Sequence, residues 1–309
     1  MKTRVVTPAA LPEIVAALER GEPVALPTET VYGLAADALN PLACARIFEA
    51  KERPLWDPLI VHLPDVDWLG RLAIVSPAAQ KLAATFWPGP LTLVLPRRPE
   101  VPDIVTAGQD TIAVRLSAHP IFNQIVNAFG RPLAAPSANR FGRISPTSAD
   151  AVLKELDGRI ELIVDGGPCA HGIESTIVLI ENDHATILRH GPITAEQIAK
   201  LIPLRVSESE ISTPGGMKSH YAPRTPLELG TFTDQPNAGL LAWEHSGEGF
   251  AQTEFLSRSL DLREAAANLY AAMRRLDESG VDLILAEPVP EAGLGVAIME
   301  RLRKAAARE

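Results

Sequence analysis

The chain has 309 residues, 46% of them apolar, two cysteines and a formal net charge of −9. That length favours two domains over one, and an acidic chain without a long Lys/Arg run disfavours a broad nucleic-acid-binding face. No apolar run reaches the roughly 20 residues of a membrane-spanning helix, the first residues lack the apolar stretch of a secretory signal, and Cys44 and Cys169, without metal-type spacing, fit a reducing cytoplasm and read as small buried hydrophobes.

Thr7-Pro8 opens a first helical pattern that Gly21 closes, with Leu11, Ile14, Val15 and Leu18 at helical spacing. Pro23 to Leu26 reads as a short buried strand. Asn40-Pro41 starts a second helix running to about Lys51, and Leu59 to Leu63 is a strand. Ser76-Pro77 starts a helix that stops near Trp87-Pro88-Gly89-Pro90. Leu91 to Leu95 and Thr111 to Leu116 read as strands, Pro120 to Phe129 as a helix and Pro132 to Pro136 as a short strand. A helix is expected from Ser145-Pro146 to Leu156. Strands follow at Ile160 to Asp165, Thr176 to Ile180 and Ala185 to Leu188, then a helix at Ile193 to Leu201. Several strands succeed one another without a helix between them. The expected fold is therefore α/β, a twisted mixed sheet flanked by helices.

The domain expectation is 1–202 for this unit, 203–226 for a linker rich in Pro, Gly, Ser and Thr, and 227–309 for a small C-terminal α/β domain. Within the last, Ala238 to Trp243 and Val281 to Ala286 are strand-like. Asp261 to Leu276 is an amphipathic helix, and Gly295 to Ala306 is a helix whose basic end suits its dipole.

The segment from Pro27 to His62 carries the densest chemistry. PTETVYGLAADA packs Thr28, Glu29, Thr30, Tyr32 and Gly33 into one exit turn after a strand. KERPLWDPLIVH sets Lys51 and Arg53 ahead of two prolines and ends a strand at His62. The two cations either complement a helix dipole in solvent or are aimed by the rigid loop at a phosphate. A lone histidine such as His62 is more often structural than a ligand. Arg115, inside TIAVRLSA, needs a carboxylate: either a buried ion-pair partner or a ligand held bidentately. PSANRFGRISPTS offers Ser137, Asn139, Arg140, Arg143 and Ser145, as ordinary capping or as an anion site at a helix start. The glycines of DGGPCAHGIEST allow close backbone approach to a ligand, although no phosphate-loop or dinucleotide fingerprint is present. Arg189 ends a strand in ILRHG. No nucleophile elbow, HExxH or reactive-cysteine signature occurs, and no His/Cys cluster suits a structural zinc.

Seven segments, PTETVYGLAADA, KERPxxxPLIVH, FWPGPLTLVL, TIAVRLSAHP, APSANRFGRISPTS, DGGPCAHGIESTIV and ILRHGPI, occur in the order of the YrdC-like family, over roughly residues 5 to 226. With KSHYAPRTPL and a smaller Rossmann-like α/β domain after them, the chain resembles the family's two-domain form. The resemblance implies a nucleotidyltransferase that makes L-threonylcarbamoyladenylate from L-threonine, bicarbonate and ATP, with pyrophosphate released. The product serves threonylcarbamoyl modification of adenosine 37 in tRNA through downstream transferase proteins, so no membrane and no stable direct tRNA binding are expected. By the same resemblance threonine sits against Thr30, His62, Arg115, Ala135 and Ser175. ATP, accompanied by Mg²⁺, sits against Lys51, Arg53, Asp57, Thr111, Ser137, Asn139, Ser145 and Arg189. His220 and Tyr221 of the linker fold back over the nucleotide as a lid, and Lys51 and Arg53 neutralise charge in catalysis. Asp57 departs from the family, which usually has Asn there; an acid facing phosphate would repel it unless it binds the magnesium or points away. Two other readings compete. One is an RNA-binding module that uses the basic cavity without catalysis. The other is a hydrogenase-maturation carbamoyltransferase, whose zinc-finger and acylphosphatase-type regions this chain lacks.

Overall fold

The computed structural model describes residues 2–205 and 220–307, so the linker expected at 203–226 falls, over 206–219, outside the described residues. The larger unit begins with β1 (Arg4–Val6), α1 (Leu11–Glu19), β2 (Val24–Leu26), β3 (Gly33–Asp37), α2 (Pro41–Lys51) and β4 (Ile60–His62). It continues through α3 (Leu69–Leu72), α4 (Pro77–Phe86), β5 (Leu91–Pro96), α5 (Asp103–Thr106), β6 (Thr111–Arg115), α6 (Pro120–Phe129) and β7 (Leu133–Ala134). It ends with α7 (Ala149–Leu156), β8 (Leu162–Val164), β9 (Thr176–Glu181), β10 (His184–Arg189) and α8 (Ala195–Ala199). The smaller unit holds β11 (Leu227–Leu229), β12 (Gln235–Ala242), β13 (Phe250–Phe255), α9 (Leu262–Glu278), β14 (Ile284–Ala286) and α10 (Leu294–Ala306).

Ten strands form one sheet in the order β1-β8-β2-β3-β7-β4-β6-β5-β9-β10. The pairing is mixed: β4 runs parallel to β6 and β5 to β9, while β2–β3, β3–β7, β4–β7 and β5–β6 are antiparallel. One face packs on α2 and α4 through Ile47, Phe48, Leu82 and Ala83, the other on α1 and α6 through Ile14, Leu18, Phe122 and Val126. The four-stranded sheet, β11-β14-β12-β13, is parallel throughout. Its core continues into Val31, Ile144 and Ile173 of the larger unit, so the two units share buried apolar surface. Among the described residues no helix is long and apolar enough to cross a membrane.

Helix starts follow the cap-and-proline signals: the Asn40 side chain accepts from Leu42 and Ala43, and Ser76 accepts from Ala79. Two places differ. The stretch after Pro27 is a turn only as far as Tyr32; β3 follows at once, although Gly33–Asp37 is rich in Gly and Ala, which are poor strand formers. Its place between β2 and β7 makes it a strand. The helix expected from Ser145-Pro146 begins instead at Ala149, capped by the Ser148 hydroxyl, because Ser145 is engaged elsewhere.

Gly172 has φ +69°, and a Cβ there would lie 2.5 Å from the Ala266 carbonyl oxygen and from Ala267 of α9. The close approach expected of this glycine is thus to the smaller unit's helix rather than to a ligand. Gly172→Ala should cost about 1–3 kcal/mol from backbone strain plus overpacking. Thermal unfolding checks this: an unchanged midpoint would show that α9 yields freely.

Candidate active site

The exit from β2 is folded by one side chain. Thr28 Oγ1 accepts from the Thr30 and Val31 amides at 3.1 and 3.2 Å and donates to the Val31 carbonyl at 2.6 Å. The turn points Glu29 and Thr30 at the carboxyl ends of β4 and β6. There Arg115 NH2 meets Glu29 Oε1 at 2.5 Å, and NH1 donates to Thr30 Oγ1 at 3.1 Å. Glu29 also accepts from the Ser117 hydroxyl and, at 3.1 Å, from the Ala118 amide. Burial would push the Glu29 carboxyl up, but Arg115 and Ser117 outweigh it and hold the group at about 2. Arg115 is therefore ion-paired, as one of its two alternatives requires, and it also faces the cavity. Its Nε–H has no hydrogen-bond partner among the described residues.

The cavity is partly open, and its roughly 510 Å³ includes space continuous with solvent. Thr30, His62, Arg115, Ala135 and Ser175, the residues expected around threonine, all line it. Of those expected around ATP, Arg53, Ser137, Arg189, His220 and Tyr221 line it. Its charged wall is three arginines against one glutamate, Glu174, a net of +2. His62 is buried on Phe122 at 4.7 Å between ring centroids. Burial first, then Arg115, pushes its imidazole down to about 3, so it stays neutral, and Nδ1 has no hydrogen-bond partner among the described residues.

Lys51, Asp57, Thr111, Asn139 and Ser145 are not part of the cavity wall. Lys51 is 1% exposed and its ammonium donates to the Ser137 and Asn139 carbonyls, bracing the loop from behind. Burial and the Arg53 charge push its pKa well down. Asp57, also buried, is turned to Arg53 at 2.9 Å. Arg53 in turn donates to the Asp57 and Pro58 carbonyls at 3.1 and 2.7 Å. The acid thus fixes an arginine of the wall. Asn139 donates to the Arg140 and Arg143 carbonyls at 2.8 and 2.9 Å, and Thr111 pairs with Pro96 at the far end of β6.

Ser145 donates to Glu174 at 2.6 Å. Glu174, one of the residues sequence reasoning missed, also accepts from Tyr270 of α9 at 2.9 Å and from Arg301 Nε of α10 at 3.0 Å. Burial would raise it, but Arg301 and Arg189 hold it at about 2. Arg189 donates to the Ser175 carbonyl and hydroxyl, both at 3.1 Å. His220 and Tyr221 close the wall, their rings 4.1 Å apart, with Phe141 5.8 Å from His220 on the other side. One signal for Arg301 was visible. It falls on the apolar stripe of α10 with Ala297, Ile298, Leu302 and Ala305, where an arginine demands a buried partner.

Fold and site together define an α/β protein with an arginine-walled cavity of net positive charge at the ends of its central strands. The family model Sua5_yciO_yrdC, described as "Telomere recombination", matches residues 16–191. That for the threonylcarbamoyl-AMP synthase C-terminal domain matches residues 193–307. The threonylcarbamoyl-AMP synthase of Bacillus subtilis is 42% identical over 94% of this chain and 91% of its own. That of Pyrococcus abyssi is 42% identical over 93% and 91%. The crystal structure of P. abyssi Sua5 complexed with L-threonine matches with TM-score 0.88 and 37% identity, covering 98% of each chain. Escherichia coli YciO, 20% identical with TM-score 0.54 over 61% of this chain, shares the fold of the larger unit. The chain belongs to the Sua5/YrdC family.

Proposed function

We propose that the chain is a threonylcarbamoyl-AMP synthase that condenses L-threonine, bicarbonate and ATP into L-threonylcarbamoyladenylate and pyrophosphate. The observation that carries the reading is one cavity wall holding Thr30, His62 and Arg115 beside Arg53 and Arg189. Arg115, pre-aligned by Glu29, keeps an Nε–H donor for the threonine carboxylate. His62, held down at about 3, is a poor base at neutral pH and serves as an orienting hydrogen-bond acceptor.

Threonine's ammonium passes a proton to bicarbonate, which breaks down to CO₂ and water; the free amine then attacks the CO₂ carbon to form a carbamate, and the N–H proton is released to solvent. A carbamate oxygen then attacks the α-phosphorus, and the bond to pyrophosphate breaks. The protein supplies alignment and charge neutralisation, not a nucleophile. Arg53 and Arg189 sit where phosphate charge develops, and His220 and Tyr221 shield the adenylate from water. Lys51, Asp57, Asn139 and Ser145 act from behind the wall by fixing its loops, and Thr111 by holding the start of β6. Among the described residues no group of three or more His, Cys, Asp or Glu could hold a metal ion. Mg²⁺ would arrive on the triphosphate, held by phosphate and water oxygens. On this reading the adenylate passes to a transferase acting on tRNA, a role that fits the cytoplasm. We propose unit boundaries of 1–202, 203–226 and 227–309, with His220 and Tyr221 covering the nucleotide.

Incubation with labelled bicarbonate, ATP, Mg²⁺ and individual amino acids tests the reaction. Pyrophosphate release should depend on threonine. Release that ignores the amino acid refutes the proposal, and steeply salt-dependent tRNA binding without ATP turnover would favour a binding module instead.

A further inference from the structure

The wall of the cavity is completed from outside the larger unit. Arg301 of α10 is 0% exposed, yet it does not itself line the cavity. Its Nε donates to Glu174 at 3.0 Å and its guanidinium lies 5.4 Å from the centre of the Tyr221 ring. Tyr270 of α9 hydrogen-bonds the same Glu174 and stacks on Tyr221 at 5.7 Å with 29° between the planes. Helix α10 makes two more contacts, one with His220 of the wall and one with the neighbour of Arg189. The Lys304 carbonyl accepts from the His220 amide at 3.2 Å, and the Glu300 carboxylate accepts from His190, next to Arg189, at 3.0 Å.

Tyr221 has φ +62°, a left-handed backbone that a bulky residue adopts only when its surroundings impose it. Arg301 and Tyr270 are packed against its ring. A buried arginine is a poor way to add stability, because apolar side chains of similar size often do as well. What it adds is a direction: a planar cation that meets a carboxylate edge-on and an aromatic ring at once.

We propose that Arg301 is a positioning residue for catalysis: through Glu174 and Tyr221 it sets the nucleotide side of the cavity, and this is a task of the C-terminal unit. The proposal rests on the synthase reading given above. Of the threonine side, Thr30, His62, Arg115 and Ala135 lie at the ends of the sheet strands, and only Ser175 adjoins Glu174; among the described residues none of the five has a hydrogen bond or ion pair to Arg301. The two substrates therefore respond differently to its loss.

The full-length wild type is first assayed for threonine-dependent pyrophosphate release; its failure there would refute the synthase reading itself. With that established, Arg301→Met, which keeps bulk but not charge, is expected to raise KM for ATP at least tenfold and lower kcat about tenfold. KM for threonine should stay within twofold. Calorimetry with a non-hydrolysable ATP analogue should show the same selective loss without turnover. If Arg301→Met does not fold, the same split is read in Arg301→Lys, which keeps the buried charge but cannot reproduce the Nε–H geometry. An equal rise in both KM values, or no change in either, overturns the proposal.

Discussion

Arg115→Ala is expected to weaken threonine binding by about 100-fold, roughly 2.7 kcal/mol, in the range for truncating one partner of a buried charged contact. ATP binding should change far less, because Arg53 and Arg189 remain on the other side of the cavity. Calorimetry with each substrate decides this, and equal loss of both would sink the assignment. The variant also leaves Glu29 buried without its cation, held by the Ser117 hydroxyl and the Ala118 amide, at a cost of about 3–5 kcal/mol. The pH dependence should then reverse. In the wild type the Glu29 carboxyl is held at about 2, below its ordinary 4.5. Its contribution to stability is complete above about 4.5 and is lost as pH falls toward 2. Without Arg115, burial dominates and pushes the carboxyl up. The variant then gains stability relative to wild type as acidification protonates Glu29. Unfolding midpoints of the two proteins between pH 4 and 8 check this, and parallel profiles would show that the pair is not coupled as its 2.5 Å contact indicates.

Glu174→Gln should be the most destabilising single change at the junction of the units. Glu174 joins Ser145, Tyr270 and Arg301, and removing its charge leaves a fully buried guanidinium with only the Glu300 carboxylate, 3.4 Å from NH1. The expected cost is about 3–5 kcal/mol, or roughly 10 °C in Tm. Glu174 is also held at about 2, so its stabilisation is present above about 4.5 and fades as pH falls toward 2. The variant should therefore be less sensitive than wild type to acid in that window. A midpoint within 2 °C of wild type by calorimetry would show that the network is dispensable for folding. Threonine-dependent turnover should fall with it, because Ser145, Tyr270 and Arg301 lose their common anchor and the last two pack on Tyr221 of the wall.

Much of the larger unit was legible because its signals are local. Asn40-Pro41 and Ser76-Pro77 announce helices through capping and a fixed φ, each within four residues. The five residues expected to hold threonine line one cavity for a related reason: short motifs end strands, and parallel neighbours bring those ends together. Lys51 shows where such reading stops. A cation next to Arg53 looks the same in sequence whether its ammonium faces a phosphate or two carbonyls. Burial at 1% exposure, decided by α2 packing on the sheet, turns it to the carbonyls. Asp57 is a similar case: the departure from Asn reads as a repulsive acid, whereas the fold closes it onto Arg53.

By itself the sequence determined the mixed α/β class, most element positions, the family and the roster of chemistry-bearing residues, since each depends on composition, period or motif within a short window. Only the tertiary structure decided which charges meet. Glu29 and Arg115 are 86 residues apart, and Glu174 and Arg301 are 127 apart. Nothing local selects one carboxylate among the chain's 38 acidic residues for a given arginine. The selection is made by burial, which makes an unpaired charge too costly to keep and so joins the two units at the wall of the cavity.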